Sequence, residues 1–284
     1  MLRRIYGYRD SGTRMRYVLL TVFTLAACAY IIAPTLIVVI SSFNSVAYNP
    51  FPPAGFGLEW YQHVFAHEEF KASAVLSLEL AVSSSAIAVV VGVMAAYAVV
   101  RRHPSGSGLI NALLLSPIVM PRIVLGVGLF ILFATIGIYG TFWSIMLAHA
   151  LMSLPFTFAL TAAALIGLDS SIEEAAQDLG ASRLRAFWAV VLPQIWVPIV
   201  LSSLIAFIGS LDQLESTIFL TRPGGNTLPV EMYDYTLQWQ DPTTAALSTF
   251  ILGFSLILVV AIAILLRRGN MVSLLGGATS RVRE

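Results

Sequence analysis

Residues 169–193 read DSSIEEAAQDLGASRLRAFWAVVLP, a polar stretch closed in on both sides by apolar runs of membrane-spanning length. Local chemistry predicts two short helices here. Ser171 caps the first, Glu174 three residues on completes a capping box, and Gly180 supplies the left-handed backbone that ends it. Ser182 caps a second helix that leads to Pro193. The outcome is a bent helix pair outside the membrane, on which Ala175 and Ala176 form a small, close-packing patch beside Glu173 and Glu174.

Working outward, apolar stretches run from Tyr17 to Phe43, Ser73 to Val100, Leu109 to Ile136, Tyr139 to Ile166, Pro193 to Leu220 and Thr244 to Leu266. Each is read as one helix, which gives an all-α membrane protein of six spans. Of 284 residues, 58% are hydrophobic and only 11% charged, too little charge to cover a soluble surface of this size. Basic residues set the orientation. Arg3, Arg4, Arg9, Arg14 and Arg16 precede the first span, Arg101 and Arg102 follow the second, Arg183 and Arg185 lie between the fourth and fifth, and Arg267, Arg268, Arg281 and Arg283 follow the sixth. Both termini are therefore expected in the cytoplasm, with only Lys71 and Arg222 in external loops. The organisation is a cytoplasmic segment 1–16, a six-helix domain 17–266 with its connecting loop at 167–193, and a cytoplasmic tail 267–284.

Several functions are excluded. A net charge of +1 provides no basic field for nucleic acid. Lys71, the one lysine, lies in Phe70-Lys71-Ala72, with neither the preceding Gly nor the following Ser or Thr of a phosphate-binding loop. Any ATP hydrolysis must come from another chain. The single Cys28 precludes an internal disulfide or a cysteine metal cluster. Leu25-Ala26-Ala27-Cys28 looks like a lipoprotein cleavage box, but its apolar run continues to Phe43, so an uncleaved first span is expected.

The first external segment, Asn44 to Ala72, carries Trp60, Tyr61, Val64 and Phe65 at helical spacing, the pattern of a helix lying on the outer leaflet. His63 and His67, followed by Glu68 and Glu69, have the spacing of a surface metal site, although exposed helices commonly carry such pairs, and no metal is assigned. The second external loop, Thr221 to Pro242, opens on the turn signal Arg222-Pro223-Gly224-Gly225-Asn226.

Glu174-Ala175-Ala176, three residues, Gly180, nine residues, Val190, one residue, then Leu192-Pro193 resembles the EAA loop of binding-protein-dependent ABC importer permeases, with Val where the pattern usually has Ile. Over roughly residues 58–270 the chain is also similar to the spermidine/putrescine-type permeases. That similarity is carried by Ser116-Pro117-Ile118-Val119-Met120-Pro121, Gly137-Ile138-Tyr139-Gly140-Thr141-Phe142 with His149 and Pro155, Ser210-Leu211-Asp212-Gln213, and Leu228-Pro229-Val230-Glu231-Met232-Tyr233. The resemblance implies a type I ABC importer permease fold in the bacterial inner membrane. It also implies an ATPase dimer holding ATP and Mg, a second homologous permease forming a heterodimer, and a periplasmic solute-binding protein. This chain itself would bind no cofactor and catalyse nothing. Glu173, Glu174, Ala175, Ala176, Gly180, Arg183, Leu192 and Pro193 become the expected ATPase-coupling positions.

Ionisable groups within a membrane are costly and usually face a cavity or a partner. Here they are Glu79, Arg122, His149, Asp212 and Glu215, the candidates for a translocation path through lipid. Asp212 and Glu215, three apart, are expected on one face of the fifth helix. There they either meet a cationic amine or structure a gate with Arg122. The polyamine permeases carry an acidic residue where this chain has Arg122. A fixed cation favours a carboxylate or phosphonate, unless Asp212 or Glu215 neutralises it. His149 reads as a helix-packing hydrogen bonder. The expected cargo is a small amine or polyamine-like solute, the alternative an amino-acid-like or opine-like zwitterion. An ATP-independent secondary transporter is the competing class; it would show repeated halves or broken helices around a site, and no repeat is evident.

Overall fold

The computed structural model describes residues 11–48 and 50–280, with side chains described over 15–48 and 50–267. Its helices are α1 (Ser11–Ser41), α2 (Glu59–Ala66), α3 (Glu68–Arg102), α4 (Ser107–Val119), α5 (Arg122–Thr135), α6 (Phe142–Gly167), α7 (Ser171–Asp178), α8 (Arg183–Ala186), α9 (Leu192–Gln194), α10 (Trp196–Leu211), α11 (Leu228–Gln238) and α12 (Thr243–Ser280). A π turn, Phe187–Val191, joins α8 to α9, and a 3-10 turn, Thr217–Phe219, follows α10. Among the described residues there is no strand, only an isolated bridge between Asn44 and Phe56. Of the orientation arginines, Arg3, Arg4, Arg9, Arg281 and Arg283 lie outside the described residues.

Among the described residues, four helices are long and apolar enough to cross a bilayer unbroken: Met15–Ser41, Glu68–Arg102, Phe142–Gly167 and Thr243–Arg267. The other two expected spans are not straight. Ser107–Val119 and Arg122–Thr135 meet at 108°, and Arg183–Gln194 and Trp196–Leu211 at 75°, so the total is six only if each bent pair counts as one span. Proline accounts for both corrections. Pro121 has no N–H to give and excludes Met120 from the α region, and Met120 is accordingly extended at φ −77°, ψ 137°. Pro193 and Pro198 likewise remove the donors that would bond Ala189 and Gln194, and the chain breaks between them at Ile195. The π turn relieves the first of these: the Leu192 N–H already reaches back five residues to the Phe187 carbonyl.

The described residues fall into two compact units, those up to 66 with 239–253 and 67–238 with those from 254 on. In the smaller, α2 packs on protein through the face that carries Trp60, Tyr61 and Phe65. The Trp60 indole N–H donates to the Asn44 carbonyl at 2.7 Å, Tyr61 bonds the Ser42 hydroxyl at 2.7 Å, and Phe65 meets Phe250 edge-on at 5.5 Å. His63 pairs with Thr243 at 3.2 Å.

In the larger unit α3 and α6 form the centre. Lipid is as apolar as a leucine side chain, so helices in a bilayer are joined by close packing and hydrogen bonds. Ser77, Ala81, Ser84, Ala88, Gly92 and Ala96 supply that packing as a buried small-residue ridge along α3. The Thr157 hydroxyl on α6 donates to the Ala88 carbonyl at 2.7 Å, and a Cβ on Gly92 would lie 2.1 Å from the same hydroxyl. Two apolar clusters flank the ridge. One gathers Leu80, Leu129, Phe133, Ile145 and Leu220; the other gathers Val99, Phe158, Leu165, Val191 and Ile195 and thereby seats the π turn. The loop after Thr221 is shorter than expected, since α11 occupies Leu228–Gln238 within it. The Leu228 N–H donates to the Ser77 hydroxyl at 2.7 Å.

Candidate functional site

Two places in the larger unit gather the chemistry. The first surrounds α7. Gly180 has φ +92°, the left-handed conformation expected of it, and the Ser182 hydroxyl accepts from the Arg185 N–H. Ser171, however, does not cap α7. Ser170 stands at the N-cap without a side-chain bond, and Asp169, two residues before Ser171, holds the helix start instead, its carboxylate accepting the Ser171 N–H at 3.0 Å. That bond, then the Ser171 side chain and the charge of Arg101, hold the Asp169 carboxyl below the usual aspartate range.

The two neighbouring glutamates of α7 face different ways. Glu173 is buried: the Tyr97 hydroxyl donates to its Oε1, and Arg101 Nε lies 3.5 Å from its Oε2. Arg101 also donates from Nη2 to the Leu168 carbonyl at 3.0 Å, and the Tyr97 ring meets Phe187 at 4.8 Å. The last turns of α3 are thus clamped to both ends of the bent pair. Glu174 and Ala175 are exposed, as are Gly180, Arg183 and Pro193, while Ala176 and Leu192 are half-buried. A cavity of about 410 Å³ opens here, lined by Tyr97, Arg101, Arg102, Glu173, Glu174 and Arg183 among others. An exposed apolar stripe, Ile172, Ala175 and Leu179, runs along α7, and Leu179 is 91% exposed.

The second place is a cavity of about 380 Å³ at the bend of the third span, lined by Met120, Arg122, His149, Phe156, Ser210 and Gln213 among others. Of the five ionisable path candidates it takes Arg122 and His149. Glu79 stands exposed on α3, and neither Asp212 nor Glu215 lines the cavity. Nor do those two share a helix face. α10 ends at Leu211, so both belong to the turn that follows it. Glu215 reaches the Arg122 guanidinium, Oε2 to Nη1 at 3.5 Å, across the bend. His149 is buried, with Nδ1 on the Ser210 hydroxyl at 2.7 Å and Nε2 on the Thr217 hydroxyl at 2.8 Å. His67, by contrast, pairs with Glu69 at 3.2 Å, and the described residues hold no group of three or more metal-ligating side chains.

Residues 88–269 match the family described as the binding-protein-dependent transport system inner membrane component. The chain belongs to this family. The permease is 31% identical over 255 residues to the spermidine/putrescine transport system permease protein PotC of Haemophilus influenzae, an alignment covering 90% of this chain and 99% of that one. It is 33% identical to the putrescine transport system permease protein PotI of Escherichia coli, covering 82% and 85%. Its fold superposes with a TM-score of 0.69, at 15% identity over 92% of its length and 99% of the other chain, on a bacterial ABC transporter that imports the acidic polysaccharide alginate. It is therefore a multi-pass membrane permease subunit of a binding-protein-dependent importer, with the all-α type I fold. The two bent spans, which taken alone would suit a secondary carrier, belong to that fold.

Sequence reasoning names the coupling glutamates but misses their partners. Arg101 enters it only as an orientation charge and Tyr97 as one apolar residue among many. The Ile172, Ala175, Leu179 stripe was there to be read, because three apolar residues at i, i+3 and i+7 of a polar helix signal a face that something covers.

Proposed function

We propose that this permease carries a small organic amine or polyamine-like solute across the bacterial inner membrane, received from a periplasmic binding protein and driven by a partner ATPase dimer holding ATP and Mg. Residues 17–266 form the permease domain, the segments 1–16 and 267–284 lie in the cytoplasm, and a second, homologous permease completes the path as a heterodimer. The observation that supports the coupling assignment is the division of labour on α7. Glu173 ties the helix to α3 on one side, while Glu174, Ala175 and Leu179 are left exposed on the other. An apolar stripe beside a carboxylate, on a helix only eight residues long, suits a groove of an ATPase subunit.

Leu179→Asp tests this directly. A buried apolar anchor of an interface is worth about 2 kcal/mol or more, so ATP-driven uptake of putrescine into vesicles of the whole importer should fall by more than about tenfold. The permease should still insert. Gly180→Pro, which cannot adopt a positive φ, and Glu174→Arg should uncouple uptake from hydrolysis in the same way. Normal uptake in all three would remove α7 as the coupling element.

Amine transport is supported by the names of the two relatives described above, both polyamine permeases. One observation favours a zwitterion instead. The cavity at the bend is lined by the Arg122 guanidinium and by none of the path carboxylates. Arg122 stands at the first position of α5, where the helix dipole also attracts negative charge. Uptake of putrescine against 4-aminobutyrate, in the native importer and in Arg122→Asp, separates the two. Anion recognition predicts a preference for 4-aminobutyrate that reverses in the variant; unchanged selectivity takes Arg122 out of recognition.

A further inference from the structure

Four buried hydroxyl and imidazole groups line up through the centre of the larger unit, and counting hydrogens fixes their direction. The Thr217 hydroxyl donates its one hydrogen to the Gln213 carbonyl at 2.7 Å, so toward His149 it can only accept. His149 Nε2 must carry a proton. At the other end, the Ser84 hydroxyl donates to the Ser210 hydroxyl at 3.1 Å. Ser210 then has its own hydrogen free to donate to His149 Nδ1 at 2.7 Å. Every hydrogen in the row has an acceptor only if the ring is the Nε2–H tautomer, and no carboxylate is among its partners to balance an imidazolium. The row therefore runs one way, from Ser84 on α3 through Ser210 on α10 and His149 on α6 to Thr217 and the Gln213 carbonyl.

What lies along the row is the wall of the cavity at the bend. His149, Ser210 and Gln213 all line it. The turn between Asp212 and Thr217 is drawn in by the Thr217 end and closed on itself by the Gln213 amide, which donates to the Ser216 hydroxyl at 2.9 Å. Ser216 in turn donates to the Met152 sulfur at 3.2 Å, and Glu215 in the same turn meets Arg122. We propose that His149 is a positioning residue for solute recognition: as the Nε2–H tautomer it holds Ser210 on one side and the Gln213–Thr217 turn on the other, and so sets where Gln213 and Arg122 stand in the cavity. It acts through these groups and touches no solute itself. The inference rests on the cavity being the translocation path, as proposed above.

The two ring nitrogens can be replaced one at a time. The Asn amide reaches the Nδ1 position and restores the Ser210 bond; the Gln amide reaches the Nε2 position and restores the donor to Thr217. In the assembled importer, His149→Asn should raise the KM for putrescine and for 4-aminobutyrate, whichever is carried, by about tenfold, the scale of one lost hydrogen bond to a buried group. His149→Gln should keep KM within about threefold, because the turn is still held. In both, the change should fall on KM rather than on the maximal rate. Independently of any solute, nitrogen NMR of the histidine-labelled importer should show a resonance pair with a protonated Nε2 and an unprotonated Nδ1 that disappears in His149→Gln.

A protonated Nδ1 at His149 would overturn the assignment whatever the cavity carries. So would equal loss of uptake in the Asn and Gln variants through lower membrane content, which would make His149 a packing residue only. If the NMR pair is found but neither variant moves KM for either solute, the cavity is not the recognition site and the positioning role falls with it.

Discussion

The ion pairs Arg101–Glu173 and Arg122–Glu215 are each held at 3.5 Å, yet they differ sharply in burial. The side chains of the first are 14% and 9% exposed, those of the second 55% and 45%. Protein closes off the first on nearly every side, whereas the second is open where Arg122 lines the cavity. The buried pair is also held by Tyr97 and by the Leu168 carbonyl, so its groups have nowhere else to go. Separation alone therefore says little about what a pair does. The pair beside α7 is a clamp that makes a short helix move with α3. The pair at the bend is half-open and leaves the Arg122 guanidinium facing the cavity.

Glu173→Leu should have the largest effect, since it leaves Arg101 buried and uncompensated, a loss of about 3–5 kcal/mol. Thermal unfolding of the purified importer measures it, and the double variant Glu173→Leu with Arg101→Leu should recover much of the loss. A single variant no worse than Glu215→Gln would break the contrast. Gly126→Ala comes next. Its Cβ would stand 2.7 Å from Ser216 Cα, backbone against backbone, so the methyl group must displace α5. A loss of about 1–3 kcal/mol is expected in the same unfolding measurement. Glu215→Gln should cost no more than about 1 kcal/mol, and that cost should shrink further in high salt.

Smallest of all is Asp169→Asn. The folded carboxyl titrates below its unfolded counterpart, so its contribution is present above the ordinary aspartate value of about 3.9 and lost as pH falls through the lowered folded value. The native importer should lose slightly more stability on acidification over that range than the variant does. Equal acid profiles would show that the Asp169 bond does not strengthen α7.

The parts of this fold that were legible in sequence are those governed by neighbours in the chain. Gly180 and Ser182 act within one turn of themselves, and the apolar runs are long enough to declare four spans unaided. The bends were harder. Pro117, Pro121, Pro193 and Pro198 were visible, but membrane helices often absorb a proline when neighbours satisfy the freed carbonyl, as α6 does with Pro155 and α1 with Pro34. Two prolines within five residues, Pro117 with Pro121 and Pro193 with Pro198, are what distinguish the spans that break. At the candidate site the difficulty was distance along the chain. Arg122 meets Glu215 across 93 positions, and Tyr97 meets Glu173 across 76. Nothing local marks either pairing. The spacing of Asp212 and Glu215 fits a helix face, but α10 ends before either.

Gly126 has one more consequence. Where α5 crosses the turn at Ser216 there is no room for even a methyl group, so position 126 acts as a spacer of zero length. Arg122 lies four residues away on the same helix, about 6 Å along its axis. A side chain at 126 would thus reach the cavity indirectly, by shifting the helix end that carries the Arg122 guanidinium.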